Sequence, residues 1–209
     1  MGKVLAILSQ KGGSGKTTTS INLAHGLAMR DKSVVILDRD TQESSLDWGS
    51  MRHNKIVPVV DGKSEKIDLE IDKQRNTNDF VIVDGAPRVD SGTIKIIKKS
   101  DLIIVPLQAS GLDVWASSGL VELIKLYHQS SGNKPKVRFL ISLSRTNTRL
   151  SKSILPALEE YGFPVLKQHM TLLEIYKHSA QSGESVFSSM PNPASAEMNI
   201  IIDEILESL

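Results

Sequence analysis

Near its N-terminus the chain reads VLAILSQKGGSGKTTT, Val4 to Thr19: an apolar run, then three glycines between two lysines, then a helix-forming segment. Such a loop works only if a buried strand delivers it and a helix leads away from it, so it dictates a strand–turn–helix opening. Glycines 12, 13 and 15 let backbone N–H groups turn inward, and the helix N-terminus adds its positive dipole end. Lys11, Gly12, Gly13, Ser14, Gly15, Lys16, Thr17 and Thr18 are therefore the candidate binding residues for nucleotide phosphates. Lys16 is placed to meet the β- and γ-phosphates and the Thr17 hydroxyl to ligate magnesium. A cradle of this kind needs only one lysine. The second, Lys11, requires its own explanation.

Beyond the loop, short Val/Ile-rich runs alternate with helix-like segments, the pattern of βαβ units building a mostly parallel sheet with helices on both faces. Strands are predicted over Val4–Leu8, Ser33–Leu37, Ile56–Val60, Phe80–Val83, Leu102–Val105 and Val137–Leu143. Helices are predicted over Lys16–Met29, Ser44–Arg52, Glu65–Arg75, Ser91–Lys99, Val114–Gln129, Ser151–Tyr161, Leu172–Gln181 and Ala194–Ser208. In the last of these, Met198, Ile201, Ile202, Ile205 and Leu209 fall at helical spacing and form a stripe that suits docking on the sheet. With 209 residues and no internal repeat or linker, the expectation is a single α/β domain spanning 1–209.

Zero cysteines exclude a disulfide framework, thiolate catalysis and Cys-ligated zinc or iron–sulfur sites within this chain. No apolar stretch approaches the ~20 residues that cross a bilayer, and no signal-peptide pattern precedes the first strand, which points to the cytoplasm. The net charge of +1 is unevenly spread. Asn133–His178 carries eight Lys or Arg against three acids, whereas Ser179–Leu209 carries five acids and no Lys or Arg. That asymmetry is compatible with a polyanion-facing surface, and equally with solvated charges that offset one another in space.

Gln10 stands where the general GxxxxGK[ST] pattern has its first glycine, and the stretch fits KGGxGKT[ST] throughout. It thereby resembles the deviant Walker A box of the ParA/MinD group of P-loop ATPases. The resemblance implies ATP and Mg2+ as ligands, and a homodimer that sandwiches two nucleotides. Lys11 would reach across that dimer to phosphates held by the other subunit, as an arginine finger does. ILDRDTQESSLDW is similar to the family's D-x-D-P-Q segment, with Thr41 in place of proline. By that match Asp40 positions or activates the attacking water, which makes Lys11, Lys16 and Asp40 the candidate catalytic residues. Asp38 would lie near the magnesium shell. FVIVD, ending in Asp84, has the form of a Walker B strand, so Thr17, Asp38 and Asp84 are the candidate metal residues. Gly85, Ala86 and Pro87 resemble the second switch, and Asp113 would fall near the dimer face. The family's adenine contacts map onto Arg145 and onto Pro191 and Asn192.

The resemblance covers nearly the whole chain and matches the small ParA-type partition ATPases. It implies a protein that dimerises with ATP and binds DNA nonspecifically in that state, associated with the nucleoid. A centromere-binding adaptor protein would stimulate hydrolysis as plasmid or chromosomal DNA is segregated. The basic stretch Lys134–Lys177, joined by Lys95, Lys98 and Lys99, suits phosphate neutralisation without base reading. A membrane role is disfavoured, because the terminal helix bears Glu197, Asp203, Glu204 and Glu207 and no Lys or Arg. Two alternatives stay open: a positioning ATPase for a protein cargo, which shares all of this chemistry, and a P-loop metabolic enzyme that transfers phosphate to a small molecule.

Overall fold

A strand covered on both faces must be apolar at nearly every position, and the Val/Ile runs of this chain become such strands. The computed structural model describes residues 1–51, 57–132, 134–144 and 154–209. Six strands, β1 (Lys3–Ile7), β2 (Val34–Asp38), β3 (Val59–Asp61), β4 (Phe80–Asp84), β5 (Leu102–Gln108) and β6 (Lys136–Ser142), form one sheet in the order β3-β2-β4-β1-β5-β6. Every pairing is parallel. Long crossover connections are thus required between strands, and helices supply them. In chain order the helices are α1 (Lys16–Ala28), α2 (Ser44–Ser50), α3 (Ile67–Arg75), α4 (Ser91–Lys99), α5 (Gly111–Ala116), α6 (Ser118–Ser131), α7 (Leu155–Glu160), α8 (Glu174–Gln181) and α9 (Pro193–Glu207).

Alternate strand residues feed two separate core layers. Leu5 and Ile7 face Leu23 and Leu27 of α1 and Met198, Ile201 and Ile205 of α9. Val4, Ala6 and Leu8 face Ile67 and Ile71 of α3, Ile96 and Ile97 of α4, and Leu120 and Ile124 of α6. The sheet is therefore doubly wound, and the stripe expected on the terminal helix is buried against it.

Most predicted elements stand within a few residues of their expected ends. The helix expected over Val114–Gln129 is instead two, α5 and α6, broken at Ser117, whose hydroxyl donates to the Val114 carbonyl at 2.6 Å. Part of the predicted third strand, at Ile56, and the start of the predicted Ser151–Tyr161 helix lie outside the described residues.

Register decides where the chemistry gathers. Ile7 pairs with Asp84, and Asp84 pairs with Asp38, so the ends of β1, β4 and β2 are level. From β1 the chain crosses to β2 on one side, and after β4 it passes β1 to reach β5 on the other. The crevice at that reversal, outside the carboxyl ends of the strands, is where open α/β sheets bind ligands.

Candidate functional site

The glycine-rich loop leaves β1 and delivers α1, as its sequence requires. Gly13 and Gly15 adopt φ of 71° and 90°, left-handed values that any side chain would strain. A Cβ at Gly12 or Gly13 would meet no atom within 4 Å, so the cradle is open on that side. Its back is held by side chains from elsewhere: Gln108 Nε2 donates to the Gly13 carbonyl at 3.1 Å, and Ser142 Oγ to the Ser14 carbonyl at 2.6 Å. Lys16 is buried and folds back so that Nζ donates to the Lys11 carbonyl at 3.1 Å. Burial holds its pKa below the ordinary lysine value, against the charges of Asp84 and Asp40.

In front of the loop lies a cleft of about 330 Å³. Gly12, Gly13 and the run Gly15–Thr18 form one wall, Asp40, Gln42 and Ser44 another, and Pro87 a third. Asp40 accepts the Gln42 N–H at 3.0 Å through Oδ1. Asp84 is fully buried and accepts from the hydroxyls of Ser45 at 2.6 Å and Ser20 at 3.1 Å, with the Thr17 hydroxyl near enough to help hold its pKa down. Burial pushes its pKa up to about 6, with the neighbouring Asp38 adding to the rise and the hydroxyls opposing it.

Asp38, expected near the magnesium shell, is engaged by backbone amides. Oδ1 accepts the Asp40 N–H at 2.9 Å, and Oδ2 accepts the N–H groups of Ser45 and Leu46, both at 2.9 Å. It thus caps α2 from the end of β2 and shapes the turn that carries Asp40, and it does not line the cleft. Burial raises its pKa, opposed by those three amides.

The residues present fit a magnesium ion. The Thr17 hydroxyl lines the cleft close to the Asp84 carboxylate, giving hard oxygen donors at the edge of a space large enough for phosphates. Magnesium is held through one or two such groups plus water and phosphate. Among the described residues no group of three His, Cys, Asp or Glu forms a cage by itself.

Lys11 points away from its own cleft. Its Nζ donates to Asp113 Oδ2 on α5 at 2.8 Å. Asp113 is buried and also receives the Ser110 hydroxyl, while its Oδ1 has no partner. Beside it on α5, Leu112 and Trp115 are 70% and 71% exposed. Asn192 and Pro191 lie at the start of α9, outside this cleft. The Asn192 side chain is engaged there, capping Ser195 N–H at 2.9 Å and donating to the Val186 carbonyl at 2.8 Å. Arg145 lies outside the described residues. Sequence reasoning missed Ser20, Ser45, Gln108 and Ser142. No motif marks lone serines and glutamines that converge only after the strands align.

A parallel, doubly wound sheet with a glycine-rich loop, a buried strand-end aspartate and a loop threonine close to it defines a P-loop nucleotide-binding protein. The CobQ/CobB/MinD/ParA nucleotide-binding domain model matches residues 5–186, and the chain belongs to that family. It is 31% identical over 212 residues to the maintenance of carboxysome distribution protein A of Halothiobacillus neapolitanus, covering 98% of this chain and 96% of the relative. With the sporulation initiation inhibitor protein Soj of Bacillus subtilis it shares 22% identity over 77% of this chain and 80% of that one. Among solved structures, the Cyanothece McdA(D38A)–ATP complex superimposes with a TM-score of 0.81 at 17% identity, covering 100% of this chain and 97% of that one. A plasmid partition protein from Borrelia burgdorferi gives 0.72 at 17%, with 100% and 99% covered.

Proposed function

We propose that this protein is a magnesium-dependent ATPase of the ParA/MinD type whose ATP-bound form pairs with a second copy and positions a cargo on DNA. The observation that carries the reading is the disposition of the two lysines: Lys16 lines the cleft, and Lys11 is turned out of it toward α5. The loop amides and the N-terminus of α1 suit an anionic triphosphate. Lys16, now on the Lys11 carbonyl, would transfer its donors to phosphate oxygens. Magnesium held near Thr17 and Asp84 would neutralise charge on the β- and γ-phosphates. Asp40 orients the attacking water, whose oxygen bonds to the γ-phosphorus as the bond to the β–γ bridging oxygen breaks; the water's proton passes to a γ-phosphate oxygen, and ADP and inorganic phosphate leave.

Lys11 must leave Asp113 to serve a nucleotide in another copy, so pairing and phosphate stabilisation become one event. The long match to a carboxysome distribution protein favours a protein cargo and an adaptor that recognises it. A match at 23% identity to the chromosome-partitioning ATPase Soj of Treponema pallidum favours a second reading, plasmid or chromosome segregation with a centromere-binding adaptor. In both, the DNA contact is nonspecific and confined to the ATP state.

Sizing with ATP and magnesium tests the core of this reading. Wild type should pair, Asp40→Ala should accumulate as a dimer because turnover is blocked, and Lys11→Ala should stay monomeric. A Lys11→Ala protein that pairs as wild type does would remove the trans role of that lysine.

A further inference from the structure

Arg39 lies between the two aspartates of the D-x-D segment, yet nothing in the site reading uses it. Its side chain is nine-tenths buried. Nη1 donates to the Lys63 carbonyl at 2.9 Å, with the Gly62 carbonyl at 3.4 Å, on the turn after β3. Nη2 donates to Asp90 Oδ2 at 3.1 Å. The guanidinium passes so close to α4 that a Cβ on Gly92 would sit 1.9 Å from Nη2. Glycine at 92 is what admits it.

Asp90 divides its carboxylate. Oδ1 caps α4 by accepting the Thr93 N–H at 2.8 Å, and Oδ2 holds Arg39. Asp90 closes the segment that leaves β4 through Pro87, one wall of the cleft, whereas Arg39 opens the segment bearing Asp40, Gln42 and Ser44. A second tie joins the same two stretches at their other ends, where Ser45 Oγ donates to Asp84. Only the arginine half of this pair is buried, Asp90 being 36% exposed, so the pair adds little stability but fixes geometry: without Asp90 the guanidinium would be left desolvated and short of its charged partner.

We propose that Arg39 is a positioning residue that clasps the Asp40 segment to the Gly85–Asp90 segment, so that the two walls move as one body and a shift of either is carried to Asp40. The catalytic consequence rests on the ATPase reading; the mechanical tie does not.

The test compares wild type, Asp90→Asn, Arg39→Gln and the double variant. Asparagine caps helices as well as aspartate does, so Asp90→Asn keeps α4 intact while removing the charge that faces Arg39, even where Arg39→Gln fails to fold. Hydrogen exchange in the ligand-free protein should quicken at the amides of both 40–46 and 85–92 in each variant. Maximal ATP turnover should fall about tenfold, as misplaced catalytic groups cause, with Mg-ADP affinity within about twofold of wild type because the phosphate loop is untouched. The double variant should be no worse than the poorer single one. Unchanged exchange at 40–46 in Asp90→Asn, or turnover losses that add in full, would overturn the clasp. Were the wild type to hydrolyse no ATP, the ATPase reading would fall and exchange alone would decide the clasp.

Discussion

Asp84 concentrates the conflict between folding and function in one carboxylate. The folded chain buries it against the hydroxyls of Ser20 and Ser45 and beside Asp38, and its pKa rises from 3.8 to about 6. The folded state therefore holds the proton more tightly than the unfolded one. Across the window from about pH 4 to 6, stability of the ligand-free protein falls as pH rises, and above it the full penalty of an ionised buried group is present. Asp84→Asn should accordingly raise the melting midpoint near neutral pH without nucleotide. Melts at a series of pH values should show that advantage shrinking through about pH 6 and gone by about pH 4. A constant advantage would mean that ionisation is not its source. Burial that destabilises the empty site is what readies the carboxylate for a cation.

At the scale of elements, the loop is fastened to the helices that follow β5. Gln10 Oε1 accepts the Leu120 N–H at 3.0 Å, capping α6 from more than a hundred residues away, and Gly119 permits the approach. Lys11, the next residue, grips α5 through Asp113. The departure from the general loop pattern at position 10 thus has a structural purpose, and the break at Ser117 exposes the amide that Gln10 needs. Gln10→Ala should cost about 1 kcal/mol, the worth of a lost cap. Denaturant unfolding should register this as a lower midpoint with an unchanged slope. A variant as stable as wild type would show that water replaces the glutamine without loss.

For the whole molecule, the acids crowded into the C-terminal segment serve to fasten its helix. On α9, Asp203 pairs with Arg30 at 3.0 Å, Glu204 accepts the backbone N–H groups of Lys167 and Gln168, and buried Glu197 accepts from Thr171 and from the Tyr176 hydroxyl. These acids bind the last helix to its neighbours. On the opposite face Lys95 and Lys99 pair with Asp68 and Asp72 of α3, which leaves the Lys134–Lys177 stretch as the better candidate for phosphate contacts. Nonspecific DNA should retain the protein at low salt with ATP and magnesium but not with ADP, and raising salt to about 0.2 M should release it. Absence of retention in ATP would discard the DNA component while leaving the ATPase reading standing. No described helix is long and apolar enough to cross a membrane.

Local chemistry made the loop, the strand order of motifs and the apolar stripe of α9 readable in advance, because glycine conformation, buried parallel strands and helical periodicity act over a few residues and leave a pattern. The level register of β1, β4 and β2 left none, since it depends on pairings between strands tens of residues apart. For that reason the three amides set against Asp38 had no signature in spacing: only folding brought them there. The same holds for Asn192, which became a helix cap, for Ser45 on Asp84, and for Arg39 on Asp90. Each partner was fixed by tertiary proximity, which has no period in sequence.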